Sequence, residues 1–399
     1  MERASFLPEK GEVIMANIGQ EIQHQVYGSA VAGNRIDLPF SFEEWEARAR
    51  AALSEEAYWY IAGSAGGNDT YRANREAFER VKLRPRVLKD VSDRDISTEL
   101  FGARLPAPFA LAPIGVQGIM HADGERAPAR AAAAARIPFT LSTVSSVSIE
   151  EIALIMGASP RWFQLYPARN REVASSMLAR AAASGYSAII VTLDTPVLGW
   201  REQDLRLGYL PFLQGQGIVN YLSDPVFLST LAKPPSEDPR AAIMQFLGMF
   251  ANPSFSWTDI EWLRAQTTLP LLLKGLVHPD DARKAVDHGV DGIVVSNHGG
   301  RQLDGGIGTL DALPAVVEAV NGKIPLLLDS GVRRGADVLK AVALGARAVL
   351  IGRPYAYAMA SHGEEGVRHL IKTMMAEVDL SLALSGLTSI RAVDRSLLV

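Results

Sequence analysis

Eight short, β-rich apolar runs, separated by alanine-rich stretches of helical character, restrict the fold of this chain more than any other feature. They occupy residues 107–115, 137–143, 161–167, 188–196, 269–275, 292–297, 324–331 and 348–354. Ile189-Ile190-Val191 and Leu271-Leu272-Leu273 are apolar at consecutive positions, so both faces of such strands need cover. Parallel strands flanked by helices provide that cover. Eight βα units predict an α/β fold of the closed (β/α)8 TIM-barrel type, and 399 residues suffice for one such domain with insertions.

Two regions depart from the repeat. Residues 40–80 carry helical periodicity, with Trp45, Ala49, Ala52 and Leu53 on one face and Ser41 as N-cap. They predict an N-terminal helical segment ahead of the barrel. The expected boundaries are a partly unstructured tail over 1–39 and a single barrel domain over 40–399, with Met15 as an alternative start. Between the fourth and fifth runs, residues 197–268 hold more than one helix. Their first part is rich in Gly, Pro and aromatics, as in Gly208-Tyr209-Leu210-Pro211-Phe212-Leu213 and Asp224-Pro225-Val226-Phe227. That composition reads as an ordered insertion, and a βα loop of this length lies over the C-terminal mouth of a barrel as a lid.

Composition narrows the chemistry. The chain has 0 cysteines, which excludes disulfides, thiolate metal sites and a thiol nucleophile. No metal site is expected, and redox chemistry would need a bound organic cofactor. The 40 basic and 44 acidic residues give a formal charge of −4 and are scattered, a poor match to nucleic acid or an anionic membrane. No run approaches the ~18 apolar residues of a spanning helix. Charges at Glu2, Arg3, Glu9, Lys10 and Glu12 break up any secretory signal, so a cytoplasmic enzyme of small molecules is expected.

Polar residues gather where the predicted strands end. Gln164 and Tyr166 follow the third, Thr192 and Asp194 the fourth, and Lys274 the fifth. Ser296 and His298 close the sixth, Asp329 the seventh, and Gly352-Arg353 the eighth. Singly, each has a structural alternative: a tyrosine at the core rim, a lysine reaching solvent, an Asp-Thr-Pro turn. Together they point into one mouth, where barrel enzymes place their chemistry. The run Ser296-Asn297-His298-Gly299-Gly300-Arg301-Gln302-Leu303-Asp304 sets a proton acceptor beside a fixed cation, as oxidation of a small hydroxy acid requires. The stretches Asp329-Ser330-Gly331-Val332-Arg333 and Gly352-Arg353-Pro354 follow the two strands whose loops hold phosphate in many barrels.

Over residues 40–391 these motifs resemble the FMN-dependent α-hydroxy acid oxidase family, whose signature is the Ser-Asn-His-Gly-Gly-Arg-Gln run at 296–302. Phe163-Gln164-Leu165-Tyr166, Thr192-Leu193-Asp194-Thr195-Pro196 and Lys274-Gly275 are similar as well. The resemblance implies FMN as cofactor and His298 as catalytic base, with Asp194 paired to its imidazolium. It implies Arg301 and Arg201 on the substrate carboxylate, Tyr60 and Tyr166 on substrate oxygens, and Lys274 by the flavin N1–C2 edge. The flavin would be held by Pro113, Ile114, Gly115, Ser142, Gln164, Thr192 and Ser296. Asp329 would meet the ribityl chain, and Gly331, Arg333, Gly352 and Arg353 the phosphate end. The family further implies a homotetramer or higher homo-oligomer, with a small 2-hydroxy acid and O2 as partners.

Within that family, the loop 199–227 and Gly115 are similar to the lactate monooxygenase branch, which turns L-lactate and O2 into acetate, CO2 and water. Val144 replaces the aromatic that glycolate oxidase carries after the second strand, and Gln117, Met120 and His121 differ from a pure monooxygenase pattern, which leaves the substrate side chain open. The alternatives are an oxidase releasing 2-oxo acid and H2O2, or a flavin-free barrel isomerase or lyase, which has no need of paired arginines.

Overall fold

The computed structural model describes residues 17–399; the choice between Met1 and Met15 as start falls outside them. Four helices precede the barrel: α1 (Ile18–Val31), α2 (Phe42–Ala52), α3 (Glu55–Ala62) and α4 (Asp69–Arg80). Ser41 caps α2 as expected, accepting from the Glu44 N–H while Glu44 answers with its carboxylate. Trp45 and Ala49 are buried, but Ala52 is exposed, because α2 ends there and its final residue lies beyond the covered face. Within 1–39, α1 docks through buried Ile18 and through the Gly19 N–H, which donates to Asp379 at 2.9 Å.

A hairpin follows that the sequence did not announce. Strands β1 (Thr98–Leu100) and β2 (Ala103–Leu105) pair antiparallel across a two-residue turn with φ of 49° at Phe101 and 75° at Gly102, the tight connection suited to twisted strands. Leu100 and Leu105 pack on Trp162, Ile190, Leu272 and Val294 in the barrel interior. The hairpin thereby closes the end opposite the predicted site.

All eight predicted barrel strands form. They are β3 (Phe109–Leu111), β4 (Phe139–Ser142), β5 (Arg161–Leu165), β6 (Ala188–Thr192), β7 (Leu271–Leu276), β8 (Gly292–Val295), β9 (Leu326–Leu328) and β10 (Ala348–Ile351). They close into one parallel barrel in sequence order, β10 pairing with β3. Ile189, Val191, Leu271 and Leu273 face the helices, whereas Ile190 and Leu272 fill the interior. This explains the unbroken apolar runs: burying each such side chain contributes roughly 1.5–3 kcal/mol. Most strands stop short of their predicted ends because the polar residues there leave the ladder at the mouth.

Between β6 and β7 the insertion folds into short helical pieces and one longer helix, Pro239–Phe250, before the regular barrel helix Trp257–Ala265. Phe212, Tyr221, Phe227, Phe246 and Phe250 form its aromatic core, with ring centroids 4.8–5.5 Å apart. Buried Asn220 ties this core to the barrel. Its amide donates to the carbonyls of Ser142 and Thr143 and to Ser145 Oγ, and its carbonyl accepts from the Ile149 N–H. We expect Asn220→Ala to lower stability by about 2 kcal/mol or more, since buried partners are left unpaired, and to open residues 197–268 to limited proteolysis. An unchanged denaturation midpoint and cleavage pattern would refute the anchoring role.

Candidate active site

The mouth of the barrel owes its geometry to a bulge. Pairing between β7 and β8 shifts between Lys274 and Leu276, and Gly275 sits there at φ 107°. A Cβ at Gly275 would lie 2.7 Å from Asp194 Cβ, so only glycine lets the β6 end come so close. Asp194 can then meet His298: Nδ1 and Oδ1 are 2.7 Å apart. Burial favours a neutral Asp194, but His298 and Lys274 outweigh it and hold the carboxyl down at about 2. An ionised carboxylate only accepts, so His298 carries its proton on Nδ1 and keeps the Nε2 lone pair. Burial also lowers the imidazole pKa; Asp194 opposes this shift without reversing it, and Lys274 adds to it. The base is thus neutral at rest.

Its backbone is held in an unusual shape. His298, Gly299 and Gly300 are all left-handed, with φ of 59°, 68° and 76°, a conformation costing about 1–2 kcal/mol for a residue with a Cβ. Side chains hold the loop there. Ser296 Oγ accepts from the His298 N–H, Ser330 Oγ from Gly299 and Asn297 Oδ1 from Gly300. Asn297 exchanges reciprocal amide bonds of 2.9 and 2.8 Å with Asn74 of α4.

Around this pair lies positive charge. Lys274 Nζ donates to Ser296 Oγ at 3.0 Å and stands 3.5 Å from Asp329 and 3.8 Å from Asp194. Burial opposes its charge, but Asp329 and Asp194 more than compensate and raise its pKa. Arg201 Nε donates to the Arg301 carbonyl and Nη2 to Gln302. Arg301 donates to the Gly63 carbonyl at 2.8 Å and lies 5.4 Å from the Tyr60 ring centroid. Arg353 turns toward the carbonyls of Ile61, Gly63 and Gly299, and Arg333 toward the Tyr71 hydroxyl and the Phe42 ring. Among the described residues no carboxylate lies within 4.0 Å of the Arg301, Arg333 or Arg353 guanidinium. Burial, with Arg201 and Arg353 alongside, depresses Arg301 to about 9. Such crowded cations are best satisfied by anions supplied from outside.

One cleft, with an empty volume of about 1240 Å³ including its open mouth, collects these groups. Tyr60, Tyr166, Arg201, Lys274, His298 and Arg301 line it, as do Pro113, Ile114, Gly115, Asp329, Gly331, Arg333, Gly352 and Arg353. Asp194 stands behind His298. Ser142, Gln164, Thr192 and Ser296 are buried at the adjoining strand ends. Gln164 Oε1 accepts from Ser142 Oγ and the Thr143 N–H, while its buried Nε2 has no partner among the described residues. A flavin fits this donor set: ring acceptors for Gln164, a phosphate for Arg333 and the loop 329–333. The sequence reading missed Tyr71 and Asn74, which sit on a helix read only for its periodicity. It also missed Thr195, which donates to Asp194 at 3.1 Å, and Phe212 and Phe250 of the insertion, which line the cleft.

Comparison with known proteins agrees with this geometry. Residues 49–399 match the family model for FMN-dependent dehydrogenase. L-lactate oxidase of Lysinibacillus sphaericus is 45% identical over 91% of this chain and 93% of its own length. L-lactate oxidase of a Nostoc species is 43% identical, covering 91% and 99%. The crystal structure of mandelate oxidase superimposes with a TM-score of 0.79 at 41% identity, over 90% of this chain and 98% of that one. The chain belongs to the FMN-dependent dehydrogenase family.

The arrangement predicts where His298 titrates. Its pKa lies below the ordinary 6.5, and because Asp194 is the group raising it, Asp194→Asn should move it further down. Titration followed by NMR of ring-labelled histidine checks this; an upward shift in the variant would contradict the ion-pair geometry.

Proposed function

We propose that this chain oxidises a small L-2-hydroxy acid of the lactate type, with FMN as electron acceptor and O2 as the final oxidant. The observation that carries the reading is the neutral His298, oriented by Asp194, in one cleft with Arg301, which no carboxylate among the described residues approaches within 4.0 Å. FMN, when bound, supplies a two-electron acceptor that dioxygen regenerates. Arg301 and Arg201 hold the substrate carboxylate, for which a guanidinium offers a matching fork. Tyr60 and Tyr166 donate to substrate oxygens; burial pushes Tyr166 up to about 12, so its proton stays in place at neutral pH. His298 Nε2 takes the proton that the hydroxyl gives up, and Asp194 stabilises the resulting imidazolium. Lys274, kept cationic by Asp329 and Asp194, would hold the flavin ring and stabilise negative charge developing on it. Gln164, Ser142, Thr192, Ser296 and Asp329 would hold the ring and ribityl chain, and Arg333, Gly331, Gly352 and Arg353 the phosphate end.

The finer reading is a lactate 2-monooxygenase: L-lactate + O2 gives acetate + CO2 + H2O. It is supported by the insertion, whose Phe212 and Phe250 line the cleft while Asn220 and Asp224 tie it down. Pyruvate and hydrogen peroxide formed in one turnover then meet at high effective concentration before either leaves. Similarity to proteins named L-lactate oxidase favours a second reading, in which pyruvate and peroxide are released. The enzyme acts as a homotetramer or larger homo-oligomer, consistent with exposed Trp200, Leu205, Leu303 and Ile307 near the mouth. A cytoplasmic location accords with the charged N-terminus; among the described residues no helix is long and apolar enough to cross a membrane.

Product analysis by NMR, with L-lactate in air and excess catalase, tests both levels. Acetate is the expected product. Pyruvate would make the enzyme an oxidase, and no turnover of L-lactate or other small 2-hydroxy acids would overturn the reading.

A further inference from the structure

Glu125 is fully buried behind the cleft, and none of the proposed chemistry uses it. Its Oε1 accepts two backbone N–H groups, from Gln117 at 3.1 Å and Ser146 at 3.0 Å. Gln117 belongs to the loop after β3 and Ser146 to the loop after β4. Further bonds join the same loops: Val116 N–H donates to the Val144 carbonyl at 2.8 Å and Gly118 N–H to Ser146 Oγ at 3.0 Å. Val116 is held at φ 58°, a left-handed conformation rare for a β-branched residue. These loops carry Gly115 and Val144, which face the cleft side by side. A Cβ at Gly115 would lie 2.6 Å from Val144 Cγ2 and 2.9 Å from its carbonyl oxygen, so the loops are as close as two chains with one glycine allow.

We propose that Glu125 is a positioning residue for the flavin site: its single bridging oxygen clamps the loops after β3 and β4 together and thereby sets the wall formed by Gly115 and Val144. No cation is spent on it. The neighbouring Arg126 pairs with Glu151, and the Tyr355 hydroxyl of the C-terminal helix donates to the Ala112 carbonyl. Burial accordingly raises the Glu125 pKa to about 7, despite the two N–H donors and Arg126. Folding therefore retains a proton that the unfolded chain loses, and stability falls as pH rises from about 4.5 to about 7.

Three variants separate the clamp from generic packing. Glu125→Gln keeps an acceptor oxygen at full reach, Glu125→Asp keeps the charge but withdraws it, and Glu125→Ala removes both. We expect the Gln variant to retain the parent's FMN absorption spectrum and kcat within about twofold, and its melting temperature to gain relative to the parent's as pH rises from 5 to 8. The Asp and Ala variants should shift the flavin bands and lower kcat roughly ten- to hundredfold, the scale of a displacement of about 1 Å. KM for L-lactate and FMN affinity, measured by fluorescence titration, should change far less. If alanine does not fold, aspartate stands in for it. Parent-like spectra and kcat in Asp or Ala, or a Gln variant as impaired as Asp, would overturn the clamp. The turnover arm rests on the proposed hydroxy-acid oxidation, but the spectra and melting curves do not. Altered spectra without turnover of L-lactate or other small 2-hydroxy acids in the parent would sink the oxidation reading and leave the clamp standing.

Discussion

A buried ammonium arranges the mouth of this barrel. Lys274 cannot sit at the end of β7 without counter-charge, because desolvating a lone cation costs several kcal/mol. It is met by Asp194 from β6, Asp329 from β9 and Ser296 after β8. Four strand ends are thus fixed relative to one another by one charge. Asp194 Oδ2 makes no hydrogen bond and faces Lys274 only at electrostatic range, leaving Oδ1 to orient His298. The low pKa of the carboxyl and the neutral state of the imidazole are two results of the same placement.

What was legible in the sequence was legible for physical reasons. Strands buried on both faces write themselves as continuous apolar runs, so all eight were found, and the polar residues that end them mark the mouth. The hairpin at the other end was not legible: three-residue strands give no period to read, and Phe101-Gly102 is a weak turn signal. Nor was the bulge at Gly275, whose glycine makes sense only once Asp194 is beside it in space. Ala52 was misplaced because periodicity knows where a face points but not where its partner ends. Asn74 shows the sharpest limit. It looks like an ordinary helix residue, and its amide exchange with Asn297 crosses 223 positions. The family motif around His298 told which residues gather, while the directions taken by Arg353 and Arg333 came only from the packed structure.

The strained His298 loop and the clamped Gly115 loop follow one logic on opposite sides of the cleft. In each, a backbone that would not hold its shape alone is fixed by side-chain oxygens accepting its N–H groups: Ser296, Ser330 and Asn297 on one side, Glu125 on the other. Strain of this kind persists only where the surroundings over-determine it. Ser296 and Ser330 follow the ends of β8 and β9, Asn297 is itself pinned by Asn74 of α4, and Glu125 is the residue before the helix Arg126–Ala135.

Whether products are kept or released is a matter of which contacts must break for the insertion to move. Its two ends differ. Near the middle, Asn220 and Asp224 are fully buried, and Arg180 of the helix Arg171–Ala183 bonds the Asn220 carbonyl, Asp224 and Ser223. Opening there would strand several buried polar groups, each costing about 1–3 kcal/mol. At the start, Leu198 and Trp200 are exposed, and Arg201 is held through Gln302 and the Arg301 carbonyl. A movement confined to this first stretch would disturb Arg201 without breaking the aromatic core. Arg201 is also a proposed carboxylate ligand, so a bound acid and the closed stretch stabilise each other. Retention of a keto acid and closure of the first stretch thus arise from a single interaction, with no separate gate.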